Sequence, residues 1–125
     1  MKKKPATPSI TNRRARFDYQ LGDELVVGIV LTGPETRAAR DGHVQLRGSF
    51  VSIIGNELWL NNASFSLKLN QRGTSERSVD TSLRKLLAHR KQIDQLITQK
   101  KTGMTIVPTR LLTAGRHIKL AIALG

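Results

Sequence analysis

A chain of 125 residues is long enough for one domain with a hydrophobic core, and with no cysteine it excludes disulfides, thiol nucleophiles and thiolate metal sites. Its 21 lysines and arginines against 9 acids give a net charge of +12 and a pI near 11.2. Such a field draws polyanions: nucleic acid first, and membrane less, since no basic amphipathic helix with an aromatic apolar side is legible.

Residues 1–11 contain three lysines and two prolines and are expected as a disordered basic arm, with residues 12–125 as the folded domain. The arm has no apolar core of the kind a secretory leader needs, which together with the missing cysteines predicts a reducing, cytoplasmic setting. Residues 12–19, NRRARFDY, set Arg13, Arg14 and Arg16 beside Phe17 and Tyr19. Guanidinium forks suit phosphates and exposed rings suit bases. The same two rings can instead anchor the arm to the core, and the two readings are compatible.

Residues 25–31 are the longest apolar run and read as a buried strand, too short to span a membrane. A short helix follows. Thr32 or Gly33 is its N-cap, Pro34 its first helical residue, and Glu35 sits where the helix dipole favours an anion. Arg37 and Arg40 share one face, and Gly42 is the stop.

Residues 43–60 read as two or three strands. Gly48-Ser49 marks a bulge, and Gly55-Asn56 a hairpin between β-rich runs. Trp59 is expected in the core or barrel wall. Residues 64–69 suit one more strand, and residues 71–82 an exposed mobile loop. Leu86, Leu87, Ile93, Leu96 and Ile97 recur at helical spacing and predict a long amphipathic helix over residues 83–102, ending at Gly103. Residues 104–112 and 116–124 are two final strands joined around Ala114-Gly115, with an edge or bulge at Pro108. The sum predicts a mainly β chain: an OB-fold-like antiparallel β-barrel of about six strands with two or three flanking helices.

Catalytic patterns are missing. There is no phosphate loop ending in Gly-Lys-Ser or Gly-Lys-Thr, no nucleophile elbow, and no metal-ligand spacing among the three histidines. A binding protein without cofactor or metal is expected, not an enzyme.

Placed in order, these segments resemble the SmpB family, the SsrA-binding proteins of bacterial ribosome rescue. Asn12 to Tyr19 is similar to the family's opening motif. Gly28-Ile29-Val30-Leu31-Thr32-Gly33-Pro34-Glu35 resembles its Gly-Ile-x-Leu-x-Gly-x-Glu, continued by Arg37, Arg40 and Gly42. Arg84-Lys85-Leu86-Leu87-Ala88-His89-Arg90-Lys91 resembles its basic leucine box, and Thr105-Ile106-Val107-Pro108 with Ile118-Lys119-Leu120-Ala121 its last strands.

The resemblance implies an OB-like barrel that binds the tRNA-like domain of transfer-messenger RNA, chiefly at its elbow, and works on stalled ribosomes. Elongation factor Tu would be met indirectly through the charged RNA. Carried over by position, the RNA-facing residues would be Asn12, Arg13, Glu35, Arg37, Lys85, Leu87, His89 and Lys119. Arg14, Arg16 and Arg40 join them on charge. The expected molecule is a monomer in which the early and late cationic elements lie near each other.

Departures from the family pattern are Thr36, Ala38 and Ala39 in the short helix, predicting looser packing there, and Ala88 in the leucine box. Past the position of Gly125 the family continues into a basic tail, helical in the ribosomal mRNA channel; that tail is expected to be absent here, leaving RNA binding without the tail's part at the decoding centre. The rival reading is a generic OB-fold RNA binder or ribosome-associated accessory protein.

Overall fold

The computed structural model describes residues 9–68 and 77–125. The barrel strands are β2 (Leu25–Ile29), β4 (Phe50–Ile54), β5 (Glu57–Asn61), β8 (Arg84–Leu87), β9 (Ile106–Leu112) and β10 (Lys119–Leu124). They pair antiparallel in the order β9-β10-β2-β8-β5-β4, and Val51 of β4 pairs with Ile106 of β9 to close the ring. Closure removes the open edges a flat sheet of this size would expose. A strand β1 (Ser9–Thr11) adds to the far half of β9, Ser9 opposite Leu112. A separate three-stranded sheet holds β3 (Val44–Gln45), β6 (Ser64–Lys68) and β7 (Arg77–Asp80), ordered β3-β6-β7.

Alternation along the strands decides what faces the core. Leu58 and Leu60, Leu120 and Ile122, and Ile106 and Leu111 are fully buried and fill the barrel. Trp59, between two inward leucines, stands half-buried on the outer wall. The hairpin at Gly55-Asn56 has positive φ at both residues, the geometry that matches the twist of its flanking strands. Pairing of β9 with β10 slips by one residue, from Arg110 opposite Ala121 to Pro108 opposite Ile122. This is the bulge a proline lacking N–H requires.

Helix α2 (Gly33–Arg40) follows β2 as expected, with Thr32 as N-cap and Pro34 one position inside the first helical residue. Thr32 Oγ1 accepts from the Glu35 N–H at 3.3 Å, and Glu35 Oε1 accepts from the Thr32 N–H at 2.8 Å. This is a reciprocal capping box. Thr32→Ala is expected to lower stability by about 1 kcal/mol in urea unfolding; an unchanged midpoint would show that the cap is not needed. Ala38 and Ala39 are both buried, so the small side chains seat the helix closely and do not loosen it.

Three expectations need correction. Ser9–Thr11 is not part of a free arm, because the edge of β9 offers it a ladder; residues 1–8 lie outside the described residues. Within the expected loop, Arg77–Asp80 is a strand pairing with β6, and residues 71–76 lie outside the described residues. The long helix is a strand followed by a shorter helix, α3 (Arg90–Gln99). Arg84 and Leu86 point in while Leu87 points out, a period of two that the Leu86-Leu87 pair had masked as helical. Ile93 and Leu96 bury the face of α3, but Ile97 stays exposed.

Candidate nucleic-acid interface

The outer wall of β10, β2 and β8 sets two of the expected RNA-facing residues, Lys119 and Leu87, on either side of Gly28. Lys119 lies opposite Gly28, and Gly28 lies opposite Leu87, so the three form one row across neighbouring strands. At ordinary strand spacing the row spans roughly 10 Å between its outer Cα atoms. Gly28 has no side chain, and the row therefore sinks to bare backbone between a lysine and a leucine. The resulting trough encloses about 400 Å³, and His89, Gln92 and Val26 line it with the row. Leu87 is 53% exposed and Val26 is also exposed, unusual for apolar side chains on a closed barrel.

His89 occupies the N-cap position of α3 in extended conformation, and its N–H donates to Gln92 Oε1 at 2.9 Å. The ring thus leaves the chain where strand gives way to helix. The trough offers a cation for phosphate, bare backbone for close approach, and apolar and imidazole surfaces for a sugar or base. Gly28, quoted above only as part of a motif, and Gln92 were not among the expected RNA-facing residues, although a glycine inside an apolar strand is itself a mark of close approach.

Lys85, two residues before Leu87, shares its outward side, and its Nζ pairs with Glu57 Oε2 at 2.7 Å. Arg37 extends from α2, exposed, 3.6 Å from Asp41. Arg13 is exposed and Arg14 pairs with Asp18 at 3.3 Å, both on helix α1 (Arg13–Asp18), to which Arg16 also belongs.

Asn12 and Glu35 correct the expectation that each presents its polar group outward, because both are buried with their polar atoms engaged by the protein; Arg40 is exposed but its guanidinium is taken up by backbone carbonyls. Asn12 is buried and its Nδ2 donates to Pro108 O at 2.8 Å and Leu46 O at 3.3 Å, joining the arm to β9 and the segment after β3. Arg40 donates to the carbonyls of Thr113, Gly115 and Arg116 and so holds the β9–β10 turn. Glu35, 8% exposed, caps α2 through one carboxylate oxygen and meets Arg84 through the other.

Arg84, the first residue of the leucine box and not among the expected RNA-facing residues, is the hub. It is 3% exposed, lies 2.7 Å from Glu35 Oε2, donates to Ser82 O at 2.7 Å and stacks 3.9 Å over the Phe65 ring. It ties the first turn of α2 to β8, the strand that carries Lys85 and Leu87. Asp80 nearby has its pKa lowered, first by hydrogen bonds from Ser82 and then by the Arg84 charge. Its small surface contribution to stability is whole above the ordinary aspartate pKa and is lost only as pH falls through the lower folded value.

A family model described as "SmpB protein" matches residues 9–125. An SsrA-binding protein of a Roseiflexus species is 40% identical over 115 residues, covering 91% of this chain and 72% of its own. One from Streptomyces avermitilis is 41% identical over 115 residues, and the chain spans only 64% of its length. A solved structure, "tmRNA-SmpB: a journey to the center of the bacterial ribosome", superposes with a TM-score of 0.74 at 32% identity, covering 94% of this chain and 82% of that one. The barrel, its capped helix and the ordered motifs agree with these likenesses: the chain belongs to the SmpB family.

Proposed function

We propose that this protein binds the tRNA-like domain of transfer-messenger RNA and brings it to stalled ribosomes in trans-translation. The trough of Lys119, Gly28, Leu87 and His89 carries the reading. It is a concave surface with one cation and several non-ionic contacts, suited to a folded RNA loop more than to a phosphate backbone alone. Related SsrA-binding proteins, and the solved complex whose name joins tmRNA, SmpB and ribosome, support the same reading.

The protein acts as a monomer in the cytoplasm and by binding, without covalent chemistry. It meets elongation factor Tu only through the charged RNA. Arg13 and Arg37 add general phosphate attraction beyond the trough.

Fluorescence anisotropy with the tRNA-like domain against unstructured RNA of equal length, at matched salt, tests the proposal. Tighter binding of the folded RNA is expected, and equal affinity would overturn it. Lys119→Ala is expected to lower the slope of log K against log salt by about 1, the signature of one lost phosphate contact. An unchanged slope would remove Lys119 from the phosphate contacts.

A further inference from the structure

The seam between β2 and β8 is short. β2 pairs with β10 from Gly28 back to Leu25, but with β8 only at Gly28 and Ile29. Gly22 N–H donates to Leu124 O at 2.9 Å, so the β10 side is held further still, into the segment before β2. On the other side the chain leaves β8 after Leu87 and turns into α3. Val30 N–H donates to Lys85 O at 2.9 Å, and backbone groups alternate in direction along a strand. Val26, four residues earlier, therefore turns its N–H and C=O to the side where the β8 ladder has ended. His89, which would come opposite it, gives its own N–H to Gln92 Oε1 and its carbonyl to the amides of Gln92 and Ile93. Val26 is 43% exposed, so the open edge is reachable.

Beside this edge a cavity of about 610 Å³ lies between the segment 20–25 and α3. Gln92, Gln95 and Gln99 form its helix wall, and the buried Leu96, Ile122 and Leu124 its floor. Asp23 and Glu24 are its charged lining residues, and it has no lysine or arginine, on a chain of net charge +12. Glu24 is matched by Arg110, but Asp23 is exposed and has no ion-pair partner among the described residues.

We infer that this groove binds an extended basic peptide of a partner protein as an added strand. The peptide backbone pairs with the open edge of β2 at Val26, an apolar side chain rests on the floor, and a lysine or arginine meets Asp23. Strand addition draws affinity from main-chain bonds and specificity from alternate side chains. The amide wall carries no charge and both donates and accepts, which suits a peptide. A nucleic acid finds no cation here to neutralise its phosphates. Val26 lines the trough and Leu25 the groove, so the peptide ends where the trough begins.

The probe is a fluorescein-labelled octapeptide of alternating lysine and valine, titrated into the full chain by anisotropy. A glutamate–valine octapeptide and a lysine–valine octapeptide N-methylated on alternate amides are the controls. Each control is expected to bind at least about tenfold more weakly, the first for charge and the second for lost main-chain bonds. Hydrogen exchange of the Val26 amide, followed by NMR, should slow on saturation with the lysine–valine peptide. Asp23→Asn is expected to weaken that peptide about threefold and flatten its salt dependence, and Gln95→Glu to tighten it. Both positions are exposed, so the thermal melt should not move. Lys119→Ala should leave peptide binding within about twofold. Absence of binding at millimolar peptide, unchanged Val26 exchange, indifference to Asp23→Asn, or equal binding of either control would overturn the inference. So would an octauridine RNA, or self-association of the chain, that protects Val26 where the peptide does not. The titration contains no tRNA-like domain, so a failure of the trough to prefer folded RNA would leave it readable.

Discussion

Arg84→Ala is expected to destabilise the fold by about 3–5 kcal/mol, the cost of breaking a buried ion pair by removing one partner. The guanidinium makes four contacts to three groups. Nε reaches Glu35 Oε2 at 3.0 Å, and the terminal nitrogens reach the same oxygen, Ser82 O and, at 3.3 Å, Asp80 O. Its plane covers Phe65, itself fully buried. Alanine would leave Glu35 Oε2 charged, buried and unpaired, and would open a void over the ring. Lysine would not repair this, because a point charge cannot serve a fork of partners.

The paired change Glu35→Leu with Arg84→Met removes both charges, and its loss should be the smaller one, near the 1 kcal/mol or so of the missing helix cap. Urea unfolding of the two variants decides the matter. If the double variant is the less stable, the orphaned carboxylate is not the source of the cost. Reduced RNA affinity in Arg84→Ala is also expected, because β8 carries Lys85 and Leu87.

Gly28→Val is expected to do the opposite: keep the fold and lose the RNA. The backbone of Gly28 lies in an ordinary strand, absent from the residues with positive φ, so a branched side chain suits it better than glycine does. A Cβ there would meet Leu87 Cβ at 3.2 Å, and because that atom is fixed to the β8 backbone the paired strand must give by a few tenths of an ångström. The gain in strand propensity offsets part of this, so stability should fall only slightly, by about 1 kcal/mol or less. The isopropyl group would fill the trough floor between Lys119 and Leu87 and hold RNA off the backbone. Affinity for the tRNA-like domain should fall by about 1–3 kcal/mol, the scale of a lost base-directed contact. Full affinity in a folded Gly28→Val protein would mean that the trough is not the interface.

Much of this molecule follows from local chemistry. The capped helix was legible because Thr32, Pro34, Glu35 and Gly42 act within a few residues of one another. The hairpin at Gly55-Asn56 and the bulge at Pro108 were legible for the same reason: positive φ and a missing donor are properties of single residues. The segment holding Arg84 misled because four residues suit either period, and only the barrel interior, which takes Arg84 and Leu86, selects the strand. Glu35 misled in another way. A carboxylate at a helix start favours the dipole wherever it points, and its direction depends on a partner 49 residues away.

The chain by itself determined the charge, the capped short helix, the tight hairpin, the bulge at Pro108 and the family motifs, since each rests on composition or on neighbours along the backbone. Tertiary structure alone decided that Gly28 sits between Lys119 and Leu87, that Asn12 and Glu35 are buried, that Arg40 ties down the β9–β10 turn, and that Phe17 faces solvent. These are outcomes of strand register and barrel closure. Register brings distant residues to within one strand spacing, and burial makes every unmatched charge expensive, so the partners are chosen only when the whole barrel closes.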